Sequence, residues 1–231
     1  MKLPVFVIPA LVVAFAARLE GQVIDTLLFT PKPESRVSVV STALKRAVSV
    51  AGSSVTYANA SLRGAEAQAM GPRGGGIRIR YETGTLPGGS SVASAGKFES
   101  IDGRLLLGVA SFSVVPGYLL RSVAWNGEQR RFGLGMLGAE LGRRFWGGGF
   151  QVRGGAMYLR TPKEAKADSI AASGIEAHTA LLYAPPRTPL FVQLGYRREV
   201  LAFKNGDVVA RREESSGVML SLGVQAGMPK R

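Results

Sequence analysis

Apolar residues alternate with small or polar residues along most of this chain, and this alternation limits the fold more than any other feature. From about residue 54 onward it recurs in segments of roughly ten residues that are separated by turn signals. In 217–226, for example, Val218 and Leu220 fall on one face, and Met219 and Ser221 on the other. Since successive side chains of a strand point to opposite faces, the pattern predicts an all-β fold.

Nine strands follow from the alternation and the turn signals. They are predicted at 54–64, 74–84, 98–109, 111–124, 130–142, 149–160, 174–183, 190–203 and 209–226. The connections differ in character, because 143–148 and 184–189 are short, whereas 85–97, 161–173 and 204–216 are longer and polar. Short turns at one end and longer loops at the other are typical of membrane barrels.

The N-terminus has the layout of a secretory signal peptide. Residues 1–17 combine Lys2, an apolar run and the small-residue pattern Ala14-Phe15-Ala16. The run ends at Arg18, which is short of the roughly 20 residues that a spanning helix needs, and no later stretch is suitable. An exported chain of this kind is either soluble or spans the membrane as a closed β-barrel, since lipid offers no partners to unpaired backbone groups. We expect an irregular lead-in over 18–34 and a single barrel domain over 35–231.

Aromatic residues are predicted to form two girdles around an aliphatic band, as interface-anchored barrels require. The predicted upper ends hold Tyr81, Trp125, Phe132, Tyr158 and Phe203, and the lower ends hold Phe112, Phe145, Trp146, Phe150, Tyr183 and Phe191.

The opposite strand face is polar, and the sequence predicts that it forms a luminal polar network. Alternation alone does not distinguish this arrangement from a soluble barrel with its apolar face inside; export, the girdles and 30 glycines favour the membrane version. The predicted luminal residues are Arg63, Arg78, Arg80, Glu82, Asp102, Arg104, Arg121, Gln151, Arg153, Glu176, His178, Gln193, Arg197, Glu199 and Glu213.

These features together resemble the small bacterial outer-membrane β-barrel proteins, the opacity-type and related families, over roughly residues 54–226. The resemblance implies an antiparallel up-and-down transmembrane barrel in the outer membrane. One departure is the C-terminus, which ends in Pro229-Lys230-Arg231 instead of the terminal aromatic residue usual in such proteins. Single-chain bacterial barrels have even strand numbers, so a tenth strand is expected at 35–47; eight strands remain the alternative.

The chemistry available to the chain is limited. It has no cysteine and one histidine, which removes thiol catalysis and clustered transition-metal ligands, and we expect no metal or other cofactor. His178 shares a face with Glu176, but no motif supplies the nucleophile that catalysis needs. We therefore expect a structural, adhesive or minor permeation role with a narrow or plugged lumen. The alternatives are a barrel enzyme that acts on lipid, with His178 as base, and a soluble ligand-binding barrel.

The net charge of +13 raises the question of partners. Its arginines are spread along strands without a stacking motif, so nucleic acid is not an expected partner. Outer-membrane lipid is an expected partner, because arginines near the loop end are placed to meet lipopolysaccharide phosphates. Guanidinium groups bind such phosphates in a bidentate manner.

Overall fold

A single antiparallel sheet closes on itself to form a barrel. The computed structural model describes residues 34–50, 53–56, 59–71, 75–86, 96–109, 111–125, 128–145, 149–162, 171–185, 188–205 and 208–226. The strands are β1 (Glu34–Val50), β2 (Ser53–Thr56), β3 (Ala60–Met70), β4 (Gly76–Leu86), β5 (Gly96–Val109), β6 (Phe112–Trp125), β7 (Glu128–Phe145), β8 (Phe150–Arg160), β9 (Ala171–Tyr183), β10 (Leu190–Asn205) and β11 (Val208–Ala226).

Closure depends on β1, which pairs with β3 on one side and with β11 on the other. Val37 lies opposite both Ala67 of β3 and Val224 of β11. From β3 to β11 each strand pairs with the next in sequence, whereas β2 is a short strand attached only to the end of β1. The wall therefore has ten strands, which confirms the ten-strand prediction and excludes eight.

The two ends of the barrel differ. The turn end has the short connections 71–75, 110–111, 146–149 and 184–189, together with the first residue of β1 and the last of β11. The loop end has the connections 51–59, 87–95, 126–127, 161–170 and 206–207. The signal peptide predicted at 1–17 lies outside the described residues, as does the predicted lead-in except for Glu34, which begins β1.

Two predicted boundaries are wrong. The strand predicted at 54–64 is divided into β2 and β3, and the polar loop predicted at 204–216 belongs mainly to the long strands β10 and β11, with a register shift between Phe203 and Lys204. The physical reasons differ. The ends of β10 and β11 rise beyond the apolar band and need no apolar face, so their sequence resembles that of a loop. The second half of β3 presents only alanines on its outer face, which is a weak apolar signal, so the predicted strand ended too early.

The outer face is apolar and the inner face is polar. Val39 is 66% exposed on the outside, whereas its neighbours Ser38 and Val40 are buried inside. Outward aromatic rings also cover glycines on the next strand: a Cβ at Gly133 would lie 2.0 Å from the hydroxyl of Tyr118, so only glycine leaves room for this ring. The described residues contain no helix that is long and apolar enough to cross a membrane.

The aromatic residues divide between the two faces. Tyr81 and Tyr158 lie outside, as does Tyr183, whose ring centroid is 4.5 Å from that of Phe150. Tyr118 and Tyr196 join Tyr81 and Tyr158, so that β4, β6, β8 and β10 each carry one exposed tyrosine.

Three predicted girdle residues point inward instead. Phe203 and Phe191 are buried inside the barrel, and Phe132 packs edge-on against Phe203 with ring centroids 5.5 Å apart. The prediction was wrong because it relied on position along the strand and ignored the parity of the alternation. Phe112 lies on the outer face, while the side chains of Trp125, Phe145 and Trp146 fall outside what the structure describes.

The outer face provides a direct test of membrane insertion. Leu194 is 53% exposed in the middle of the outward apolar residues of β10, and Val200 faces the same way nearer the loop end. We expect Leu194→Arg to lower the free energy of unfolding in lipid vesicles by roughly 2–4 kcal/mol, and Val200→Arg by about 0–1 kcal/mol. The cost of a buried cation depends on its depth in the bilayer. Urea titration of vesicle-folded protein measures both values. Equal costs at the two positions would contradict the assigned membrane depth.

Candidate functional site

The barrel interior holds a nearly balanced set of charges. Its described residues include nine arginines and eight carboxylates on the inward face. The arginines are Arg36, Arg46, Arg78, Arg80, Arg104, Arg121, Arg153, Arg197 and Arg211, and the carboxylates are Glu34, Glu66, Glu82, Asp102, Glu140, Glu176, Glu199 and Glu213. Buried charges are tolerated when they are paired and hydrogen-bonded, so the site is best described by its pairs.

Arg104 is the centre of this network. Its Nε donates to both carboxylate oxygens of Asp102 at 2.9 Å, and its Nη2 donates to Glu176 Oε1 at 2.8 Å. A third carboxylate, Glu140, lies 4.0 Å away. These residues come from β5, β7 and β9, so the interactions cross the lumen as well as following the wall.

Further arginine–carboxylate pairs extend the network. Arg78 holds Glu140 in a bidentate pair with N–O distances of 2.7 and 3.0 Å, and Arg80 pairs with Glu66 on the adjacent strand. Arg197 donates to Glu82 at 3.0 Å. Bidentate guanidinium–carboxylate geometry adds directionality to the charge attraction, so these pairs fix side-chain positions as well as neutralise charge.

A further group of arginine–carboxylate pairs lies towards the loop end. Arg121 Nη2 donates to Glu199 Oε2 at 2.9 Å, and its guanidinium lies 5.4 Å from the ring centroid of Phe98. Arg46 Nη2 donates to Glu213 Oε2 at 2.7 Å, and Arg211 pairs with the same carboxylate.

Apolar side chains fill much of the remaining lumen. One inner cluster contains Leu134, Leu159 and Leu201, which are fully buried, and a second contains Leu62 and Phe98. Between the charges lies a cavity of about 20 Å³, which is room for about one water molecule. Across the described residues, ion pairs and apolar clusters therefore occupy much of the lumen.

The structure brings most of the predicted luminal residues into this network. Arg63 is the exception, because it lies exposed on the outer face of β3. The error arose because Leu62, not Arg63, faces inward, where it packs in the apolar cluster with Phe98. Once β3 is placed at Ala60–Met70, its inward positions are the even-numbered ones, among them Leu62, Glu66 and Gln68.

Several interior residues were not predicted. Arg36 and Arg46 were missed because β1 was identified from strand parity alone, and Glu66 and Gln68 because they lay beyond the predicted strand. Glu140 lies between Ala139 and Leu141, so its alternation was visible in the sequence.

His178 lies between two carboxylates. Its Nε2 is 3.2 Å from Glu140 Oε1 and its Nδ1 is 3.4 Å from Glu176 Oε1, with the side chain 11% exposed. Within the described residues, no hydroxyl group forms a hydrogen bond with either ring nitrogen. A search of the same residues finds no group of three or more potential ligands arranged to hold a metal ion.

The polarity of the barrel decides where it resides. Exposed leucine, isoleucine and valine side chains surround a charged interior, which is the reverse of a soluble protein, and a closed sheet leaves no unpaired edge in lipid. The chain is a small outer-membrane β-barrel protein. The soluble ligand-binding alternative does not fit this polarity.

Similar folds occur among solved structures. The outer membrane protease OmpT from Escherichia coli is 13% identical and has a TM-score of 0.44, with 86% of this chain and 97% of that chain covered. The translocator domain of the autotransporter NalP from Neisseria meningitidis is 13% identical, with a TM-score of 0.40 and coverages of 92% and 96%. Ail, the attachment invasion locus protein of Yersinia pestis, in complex with the heparin analogue sucrose octasulfate, is 9% identical, with a TM-score of 0.31 and coverages of 85% and 100%. The sequence matches no protein-family model and no curated protein.

The charge network predicts a strong dependence on single carboxylates. Glu176 is 1% exposed, so Glu176→Gln leaves Arg104 with an incompletely compensated charge, and we expect a loss of about 3–5 kcal/mol in unfolding free energy. The rim residue Glu214 has a side chain 39% exposed, and Glu214→Gln is the matched control, with an expected loss of at most about 1 kcal/mol. The measurement is urea unfolding followed by heat-modifiable gel mobility. A Glu176→Gln barrel as stable as the control would show that the network contributes no net stability.

Proposed function

We propose that this protein is a structural, non-conducting and non-catalytic barrel that holds anionic lipid of the outer leaflet against its loop end. The observation that carries the proposal is the filled lumen. With guanidinium–carboxylate pairs and apolar clusters occupying the described interior, the surface available for interaction is the outer wall and its rim.

The outer wall is asymmetric in charge. Eight described cationic side chains face outward towards the loop end: Lys45, Arg63, Lys97, Arg131, Arg160, Arg198, Lys204 and Arg212. Of the outward side chains described nearer the turn end, none is charged. Since short turns mark the periplasmic side of such barrels, the cations at the loop end face the outer leaflet.

One part of this surface is suited to a phosphorylated lipid. Ser216 on β11 lies opposite Lys45 on one side and Arg198 on the other. Arg212 is two outward positions closer to the loop end on the same strand. We call Lys45, Arg198 and Arg212 the basic rim patch. Glu214 pairs with Arg198 at 3.4 Å and with Arg212 at 2.9 Å, which aligns the guanidinium groups and leaves a net positive charge.

An acyl surface continues directly from this patch. Below Ser216, the outward residues of β11 are Val218, Leu220 and Leu222, which are about half exposed. A lipid with its phosphate at the basic rim patch would therefore have its acyl chains lying along the apolar wall. Guanidinium groups bind phosphate oxygens in a bidentate manner, so the phosphates of a glycolipid such as lipopolysaccharide suit the patch.

The filled lumen predicts an absence of conductance. Purified protein inserted into planar bilayers in concentrated KCl should give no channel steps, whereas an open porin in the same apparatus should. Insertion is verified by protease protection in vesicles of the same lipid. Reproducible channel steps from inserted protein would overturn the non-conducting part of the proposal and favour minor permeation.

The enzymatic alternative predicts a different result. If His178 were the base of a lipid-modifying enzyme, His178→Ala would remove a lipid A modification from the host membrane. We propose that it does not, because the ring lies between Glu140 and Glu176 without a hydroxyl partner. Mass spectrometry of lipid A from a strain with folded His178→Ala protein decides between the two.

The basic rim patch makes its own prediction. Replacing Lys45, Arg198 and Arg212 together by Gln should weaken binding of diphosphorylated lipid A by roughly a hundredfold, on the basis of about 1 kcal/mol for each cation near a charged membrane surface. Native mass spectrometry of detergent-solubilised protein measures the lipid adducts. Adducts of zwitterionic phosphatidylethanolamine serve as the control and should be unchanged. Equal losses of both lipids would indicate damage to the fold, and no loss of either would contradict the patch.

A further inference from the structure

Arg153 differs from the other interior arginines. Each of the other eight has a carboxylate oxygen within 4.0 Å, as Arg78 has in Glu140 and Arg197 in Glu82. Among the described residues, Arg153 has no such carboxylate and hydrogen-bonds only to two glutamines. Among the described residues of the inward face, it therefore accounts for the single excess positive charge.

The two glutamines are shared with other cations. Gln68 Oε1 accepts from Arg153 Nη1 at 2.7 Å and from Arg78 Nε at 3.2 Å. Gln151 Oε1 accepts from Arg153 Nη2 at 3.3 Å and from Arg36 Nη2 at 3.0 Å. Three guanidinium groups thus converge on two neutral oxygens, each of which has used both of its lone pairs.

Small residues leave space beside this guanidinium. In the strand register Arg153 lies opposite Gly142 on β7 and Ala180 on β9, and Ala180 in turn lies opposite Gly195 on β10. A Cβ at Gly142 would lie 3.5 Å from Arg153 Cγ. The resulting cavity of about 20 Å³ is lined by Arg153, Ala180, Arg78 and Gln193, among others.

The acidic residues that line the cavity are already engaged. Glu66 pairs with Arg80, and Glu176 accepts from Arg104, so neither neutralises Arg153. A partly buried charge without a counter-ion loses hydration at a cost, and the guanidinium has five N–H donors, only two of which point at the glutamines.

From these observations we propose that a single small monovalent anion of the size of chloride binds in this cavity as the counter-ion of Arg153. The volume suits one monatomic anion and excludes polyatomic anions such as sulfate or gluconate. Arg153 lies three residues after the first residue of β8 and is only partly buried, so the anion reaches it from the turn end.

Bromide provides the direct test, because it replaces chloride and scatters anomalously. Crystals of the full chain grown in sodium bromide should show one anomalous peak beside the Arg153 guanidinium, and crystals of Arg153→Gln should show none there. A peak that persists in Arg153→Gln would show that Arg153 does not hold the anion, and the absence of a peak from the unmodified protein would leave water as the occupant. Either result would overturn the proposal.

A solution test keeps the charge and removes the space. Ala180→Leu fills the cavity, while Ala177→Leu adds the same bulk on the outer face of the same strand and serves as the control. Replacing gluconate by chloride at constant ionic strength should raise the melting temperature of the unmodified protein and of Ala177→Leu, because a ligand that binds only the folded state stabilises it. Ala180→Leu should show no such shift. An equal chloride shift in all three proteins would reveal a general salt effect and contradict the site.

Discussion

The pairing of β1 with β11 is the constraint on which the rest of this structure depends. In lipid, an open sheet would leave a row of unpaired backbone groups at each edge, and closure removes both rows. The ladder from Ser35–Ala226 to Val50–Arg211 is long enough to join the first and last strands across the full height of the wall. Once the sheet is closed, each residue of the wall faces either lipid or lumen, and period-two alternation assigns the face.

The lumen then has to satisfy a second requirement. A ten-stranded barrel is too narrow for a wide channel but too wide to be closed by small residues alone. This chain fills it with long arginines that reach across from one wall to the other, such as Arg104 on β5 with Glu176 on β9. Apolar clusters occupy the space where no ion pair is formed. The same side chains that neutralise one another also occupy the lumen, so the stability of the barrel and its proposed lack of permeation have a common origin.

Charge is distributed differently on the two faces. Inside, cations and carboxylates are nearly balanced, and Arg153 is left over. Outside, the described cations outnumber the described carboxylates and lie towards the loop end, where the anionic headgroups of an outer leaflet would meet them. This placement supports the proposed contact between the outward cations and anionic lipid.

The sequence alone predicted the all-β class and most of the luminal residues, because period-two alternation encodes which residues share a face. The tenth strand followed instead from the even strand number of such barrels, and the membrane location from the export signal, the girdles and the glycines. The sequence-based prediction failed where the alternation carries no information or was not applied. Residues 204–207 and 211–216 are mainly polar, so the strand ends there resembled a loop. Phe132 and Phe203 were assigned to the girdle because strand position was read without parity. Only the tertiary structure decided which arginine meets which carboxylate, since Arg78 and Glu140, or Arg121 and Glu199, are brought together by the curvature of the closed wall. For the same reason only the fold reveals that Arg153 meets two glutamines and a cavity. Pairing across a lumen depends on barrel diameter and register, and no local pattern of residues records either.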